Sequence, residues 1–241
     1  MRFYDIKTQS RCSEIPKKSG NGTKAPTIKD AIELTLVPSC TEILNIVSKP
    51  YLLTWIEDRA FKFAWDSALT SIPYEDAKTQ YKQMSDQARD RGTELHDQMS
   101  RMEINDWTSE AINWINERYV KIEHEVQFAG TMYGGTIDAI CTDKDGNVDI
   151  LDFKFVMSDR KPRDSELWQL AAYKSHVDIT RPVRTCYNLL ISQETGKLLV
   201  AHEWSKEELD RGYHVFQSLL DSWQHINNYN IIRGKRYYDT E

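Results

Sequence analysis

The feature that most constrains this chain is a pair of charged residues set inside an apolar strand pattern. In Val148 to Phe155, Asp152 and Lys154 are flanked by Ile150, Leu151, Phe153 and Phe155. Side chains two apart on a strand share a face. Asp152 and Lys154 therefore point together, while Phe153 points into the core. A run this apolar reads as a central strand covered on both faces. Charges there are costly unless paired, or bound to a metal ion. Upstream, Gly135-Thr136-Ile137-Asp138 ends a strand that the turn Asp143-Lys144-Asp145-Gly146-Asn147 connects to the first. If the pairing sets Asp138 opposite, two carboxylates and one ammonium converge. Such a set suits a hard cation held by oxygen ligands. DxK alone also fits an Asp–Lys ion pair at the end of a hairpin.

The surrounding pattern places these strands in an α/β fold. Residues 1–30 read as an irregular polar arm with at most one short strand. Ser39-Cys40-Thr41-Glu42 reads as a capping box opening a helix through Ile43, Leu44, Ile46 and Val47. Pro50 starts another, with an apolar stripe through Leu52, Leu53, Trp55, Ile56, Ala60 and Phe61. Long helices follow over Tyr74–Met102 and Trp107–Tyr119. Glu123–Ala139 alternates as two strands, with a tight connection placed at Gly134-Gly135. Helical spacing returns over Ser165–His176. Val183–Ser192 and Leu198–Trp204 form a hairpin, and a last amphipathic helix runs from the N-cap Ser205 to about Tyr229. The expected architecture is a single domain: an N-terminal arm and helical region over 1–120, a catalytic core with a mixed sheet flanked by helices over 121–204, and a C-terminal helix with a basic-aromatic tail over 205–241.

Composition sets outer limits. The 241 residues carry a net charge of −6, with 40% hydrophobic and 28% charged residues, ordinary for a globular protein. No apolar run reaches the roughly 20 residues that span a bilayer, so no membrane association is expected. The N-terminus lacks the apolar centre of a secretory signal, and a cytoplasmic location (host cytoplasm if viral) is expected. Cys12, Cys40, Cys141 and Cys186 are scattered and form no CxxC pair, which fits reduced thiols. The acidic balance does not favour bulk attraction to nucleic acid.

Two further blocks, joined to the two already described, complete a pattern. Gly92…His96 lies in the long polar helix, Gly135…Asp138 and Asp152…Lys154 lie on strands, and Gln169…Tyr173 lie one turn apart on the following helix. Read alone, His96 is an ordinary helical histidine, Gln169 an exposed helix residue and Glu125 a solvent-facing strand residue. In this order the motifs GxxxH, GxxD, DxK and QxxxY resemble the RecB-like nucleases of the PD-(D/E)XK superfamily, over roughly residues 35 to 200. Val37-Pro38-Ser39-Cys40-Thr41-Glu42-Ile43-Leu44, with Lys49-Pro50 and Trp55, is similar to the opening of phage-type and mitochondrial-genome-maintenance-type exonucleases.

The resemblance implies a restriction-endonuclease-like core and a metal-dependent DNA exonuclease. It implies Asp138 and Asp152 as principal metal ligands, the Phe153 carbonyl as another, and His96 as an additional ligand for one or two Mg²⁺ or Mn²⁺ ions. Glu125 is a further candidate acid. Lys154 is implied to position the attacking water, and Gln169 and Tyr173 to brace the site or touch DNA. CRISPR-adaptation relatives hold an iron–sulfur cluster through one upstream and three C-terminal cysteines. No cysteine follows Cys186 here, so no cluster is expected.

Phosphate contacts are expected from Arg89, Arg91, Arg101, Arg160, Lys161, Arg163 and Lys174. Arg233-Gly234-Lys235-Arg236-Tyr237-Tyr238 has a composition suited to single strands, and equally that of a frayed, solvated terminus. Trp55, Trp65 and Trp107 read as core residues rather than stacking platforms. The expected partner is DNA, single- or double-stranded, with a single-strand annealing protein as a second. The chain is read as a monomer or homo-oligomer. The alternatives are a trimeric double-strand exonuclease of the lambda type, a binding protein that has lost catalysis, and a purely structural α/β domain.

Overall fold

A computed structural model describes residues 1–47, 60–66, 68 and 72–238. The helix expected from Pro50 through Leu52, Leu53, Trp55 and Ile56 lies outside the described residues. The centre is a five-stranded mixed sheet in the order β10-β9-β8-β7-β6. Its strands are β6 (Lys121–Ala129), β7 (Gly134–Thr142), β8 (Val148–Val156), β9 (Val183–Ser192) and β10 (Leu198–Trp204). β8 is the middle strand, antiparallel to β7 and parallel to β9. That position matches its apolar composition, because only a strand covered on both faces buries Leu151 and Phe153 on one side and Ile150 on the other.

One face packs on α2 (Cys40–Leu44), α5 (Asp164–Val177) and α6 (Lys206–Ile226); the opposite face packs on α4 (Ser109–Asn116) and the end of α3 (Tyr74–Ser100). Leu170, Phe216 and Trp223 fill the first layer and Ala111, Ile112 and Ile115 the second. Ser205 caps α6 in a reciprocal box with Glu208. At α2 only half of the expected box forms. Ser39 accepts from the Glu42 N–H, but the Glu42 carboxylate turns to the Arg2 N–H. The second half goes to the N-terminal strand, which brings the arm onto this helix.

The arm is more structured than its composition suggested. β1 (Phe3–Asp5), β2 (Ser10–Cys12) and β5 (Leu36–Pro38) form a three-stranded sheet, β3 (Ile15–Pro16) pairs with β4 (Thr23–Lys24), and Thr27 caps α1 (Ile28–Leu34). Phe3 and Val37 are fully buried against the central core.

Gly134 and Gly135 are not the turn. The connection lies before them, and both begin β7. A side chain on Gly134 would come within 2.6 Å of the Tyr4 ring, and one on Gly135 within 2.6 Å of the Tyr173 ring. Their glycines permit close packing rather than a reversal. Phe61 and Trp65 also depart from expectation. Both are largely exposed, on a helical stretch over 60–66 that does not bury its apolar residues. Trp107 is half-buried, with the Arg91 guanidinium 4.7 Å above its ring.

Candidate metal centre

The site forms where the β7–β8 ladder stops. Ala139 pairs with Leu151, and the next opposed residues are Asp138 and Asp152. Here the strands open enough for the Asp138 carboxylate to turn inward and accept the Phe153 N–H at 2.7 Å. On the other side of β7, the flanking pairs His124–Ala139 and Val126–Ile137 set Glu125 opposite Asp138. Glu125 has φ +49°, a left-handed conformation that is costly for a residue with a side chain and tends to mark functional positions.

His96 reaches this point from α3. Leu95 and Met99, both fully buried, pin the last turns of the helix to the molecule and so fix His96 between them. His96 Nε2 lies 3.1 Å from Asp138 Oδ2, and Nδ1 lies 3.4 Å from Glu125 Oε1. Ligand-type atoms of His96, Glu125 and Asp138 all lie within 4.8 Å of one another. A cleft of about 460 Å³ opens over them, lined by Gly92, Thr93, His96, Asp97, Ser100 and Glu125.

Asp152 is buried beside this cluster, and its oxygens are occupied. Lys154 Nζ lies 2.7 Å from Oδ1 and 2.6 Å from Oδ2, and Asn188 Nδ2 donates to Oδ2 at 2.7 Å. Asn188 in turn accepts from the Trp204 indole N–H at 2.7 Å. It stands opposite Asp152 on the parallel strand β9 and is fully buried. Sequence reasoning missed Asn188. The signal was a polar residue inside the apolar run Val183–Ser192, the same logic that singled out Asp152.

The protonation balance reflects crowded acids. The hydrogen bond to Asp138 raises the His96 imidazole to about 9, against the opposing effect of burial. Burial pushes Asp138 up, but the His96 bond and charge outweigh it and leave the carboxyl below its ordinary value. Burial raises Asp152. Burial disfavours the Lys154 ammonium, yet Asp152 and Asp138 together raise it. Burial and the Asp138 charge raise Glu125. Imidazolium and ammonium thus offset the acids, in the way that a bound cation would.

The donor set passes the test of fit for a divalent cation. Two carboxylates and one imidazole nitrogen share one point, and that mixture suits Mn²⁺ or Mg²⁺ better than a thiolate-seeking metal. Of the five expected ligands, the fold gathers His96, Glu125 and Asp138. Asp152 is not in that group, its oxygens being held by Lys154 and Asn188, and Phe153 touches Asp138 through its backbone N–H.

α5 covers the other side. Gln169 Nε2 donates to the Tyr173 hydroxyl at 2.8 Å, and the buried Tyr173 feels the charges of Asp138 and Asp152. Glu166, another residue missed in the sequence, is buried at the start of this helix. It accepts Arg160 through both oxygens, at 2.6 and 3.1 Å, and the Arg163 N–H at 2.8 Å. Its charge acts on Asp152 and Lys154.

The expected phosphate contacts divide. Arg160 and Lys161 line a cavity of about 370 Å³ beside the exit of β8, with Asp159 and His202. Arg163 is exposed at the start of α5. Lys174 is engaged elsewhere, donating to Asp178 at 2.6 Å and the Val183 carbonyl at 2.8 Å, where it ties α5 to β9. Arg91 pairs with Glu94 at 3.0 Å, and Arg101 is bound to Asp97 at 2.5 Å. The Arg89 side chain lies outside the described residues. Among the described residues, no helix is long and apolar enough to cross a membrane.

No protein-family model matches the chain, and no curated protein does. Several solved structures match, among them two of low similarity. The crystal structure of SSO0001 shares 16% identity over 66% of this chain and 70% of its own, with a TM-score of 0.34. A protein from Eubacterium rectale assigned as an exonuclease shares 13% over 54% of this chain and 60% of its own, with a TM-score of 0.33. Likenesses at this level carry no weight for function, which is read from the side chains.

Proposed function

We propose that the chain is a metal-dependent deoxyribonuclease that hydrolyses phosphodiester bonds at DNA ends. One observation carries the reading: three separate elements deliver His96, Glu125 and Asp138 to a single point, with the buried Asp152 and its partner, the half-buried Lys154, beside it. Burying Asp138 and Asp152 side by side is costly, and a structural role leaves the cost unexplained.

In this reading His96, Glu125, Asp138 and Asp152 hold one or two Mg²⁺ or Mn²⁺ ions. A bound ion of this kind acidifies a water ligand and offsets charge at a phosphoryl group. The remaining work belongs to the chain. Lys154 presents an ammonium that orients the nucleophile or offsets charge in the transition state. Asn188 holds Asp152 in place, and Gln169 and Tyr173 brace the site from α5. Lys161 contacts phosphates beyond it, while Arg160 holds Glu166 at the start of α5. α3 walls the cleft on one side, which favours a strand end over continuous duplex.

The test is digestion of end-labelled linear and circular DNA, single- and double-stranded, with Mg²⁺ or Mn²⁺. The wild type is expected to degrade linear DNA and to stop in EDTA. Asp138→Asn and Lys154→Ala are each expected to lose about 100-fold or more in rate, the scale of removing one electrostatic or proton-transfer group. Undiminished digestion by either variant, or cleavage that survives chelation, sinks the reading. Circular DNA cut as fast as linear DNA would replace the exonuclease with an endonuclease.

A further inference from the structure

The C-terminal segment is folded rather than frayed through Tyr238. Tyr229 is fully buried, and its hydroxyl donates to the Leu36 carbonyl at 2.8 Å. Beyond it the chain makes a tight hairpin. Asn230 N–H donates to the Lys235 carbonyl at 2.8 Å, and Lys235 N–H returns to the Asn230 carbonyl at 3.3 Å. Gly234, at φ +59°, allows the reversal. Asn228 then clips Tyr238 at both ends of its side-chain amide, at 2.7 and 2.8 Å.

This hairpin frames a cavity of about 240 Å³ lined by Asn230, Arg233, Lys235, Arg236 and Tyr237. Tyr237 stacks on His225 with ring centres 4.4 Å apart, and the Tyr238 hydroxyl bonds His225 Nδ1 at 3.0 Å. From Ser222 through Tyr238 the sequence contains no Asp or Glu, in a chain of net charge −6. The nearest acid on the same helix is Asp221, 3.7 Å from His225 Nε2. Asp239 and Glu241, which follow, lie outside the described residues. A concavity lined by three cationic side chains and edged by tyrosine is thus held on a folded loop of an acidic molecule.

We propose that this hairpin binds a single-stranded nucleic-acid segment, with phosphates on Arg233, Lys235 and Arg236 and a base stacked on Tyr237 or Tyr238. Cations tracking a backbone beside aromatic faces are what sequence-tolerant single-strand binding uses. Rings serve a single strand better than a duplex, because only unstacked bases can lie on them. The proposal extends the nuclease reading by giving the substrate strand a second hold. The path to the metal centre runs from Thr35, packed on Gly234, along β5 to Ser39, across the Ser39–Gly134 bridge and up β7 to Asp138. At about 3.3 Å per extended residue that is on the order of 30 Å at most, within reach of one strand of several nucleotides.

The experiment measures binding of labelled oligothymidylate to the full chain in EDTA at several salt concentrations. No cleavage is involved, so a failure of the nuclease reading does not obscure the result. The triple variant Arg233→Ala, Lys235→Ala, Arg236→Ala is expected to bind at least tenfold more weakly. Its plot of log affinity against log salt should flatten by about 2, at about 0.7 per lost phosphate contact. The double variant Tyr237→Leu, Tyr238→Leu is expected to lose about fivefold or more on the base-bearing strand and nothing on an abasic strand of equal length. An unchanged salt slope in the triple variant overturns the proposal. So does a tyrosine-variant loss that is equal on the abasic strand, or equal binding of anionic vesicles, which would reduce the hairpin to a general polyanion patch. Melting curves verify that each variant folds. If the tyrosine variant does not, the exposed charge variant decides through its slope.

Discussion

Asp152 depends on a neighbour that sequence order does not bring near it. Asn188 donates to its carboxylate and accepts from Trp204, so one amide satisfies two buried groups. Asn188→Ala would leave the Trp204 N–H without a partner and Asp152 with Lys154 alone, in a site that water does not reach. The expected cost is about 1–3 kcal/mol, the range for orphaning buried polar groups. Urea unfolding measures it, and cleavage should fall in the same variant because Asp152 is no longer aimed. An unchanged midpoint would mean that the hydrogen bonds are not made. Asp138, Asp152 and Lys154 stood out in the sequence because charge inside an apolar strand is costly. Asn188 obeys the same rule, but it is uncharged, and its partner sits on a parallel strand more than thirty residues away. Glu125 was nominated without its backbone being foreseen, since nothing in Glu123–Val126 announces a positive φ.

At the scale of elements, the start of α5 shows how a helix terminus is coupled to the centre. Burial alone would raise the Glu166 carboxyl, but Arg160 and the Arg163 N–H outweigh it and hold it below its ordinary 4.5. A carboxyl whose folded pKa is depressed contributes stability above its unfolded pKa and loses it as pH falls through the folded value. Against Glu166→Gln, the wild type is therefore expected to be more stable above about pH 4.5, with the advantage shrinking as the pH drops below it. Paired melting curves across that range check the sign; a difference that grows toward acid would show the opposite shift. Element types and order were legible because long periodic segments announce themselves: β8, β9 and β10 fall where alternation and apolar runs put them. The N-terminal strands are two or three residues long and carry no usable period. Gly134-Gly135 misled for a related reason. Glycine pairs read locally as turns, whereas these two are set by the rings of Tyr4 and Tyr173, partners distant in sequence.

For the whole molecule, the question is whether the fold needs its ion. Both faces of the sheet are covered by apolar cores, and neither core includes His96, Glu125, Asp138 or Asp152. His96 is fixed by Leu95 and Met99 on α3, and Glu125 and Asp138 by the β6–β7 ladder, so the donors are placed by packing before any cation arrives. Chelation is therefore expected to leave the chain folded, while a divalent ion adds stability by binding the native state alone. At one hundred times its Kd, an ion adds about 2.7 kcal/mol. In a chain of this size each kcal/mol moves Tm by about 2–4 °C, so saturating Mn²⁺ should raise it by roughly 5–11 °C over EDTA. The shift between the two conditions is the readout, with each protein as its own reference. His96→Ala should lose most of that shift whatever it does to the baseline, since it removes the nitrogen donor and leaves the core intact. Equal melting with and without Mn²⁺, or a full shift in His96→Ala, would show that the cluster is an ion-pair network and not a metal centre.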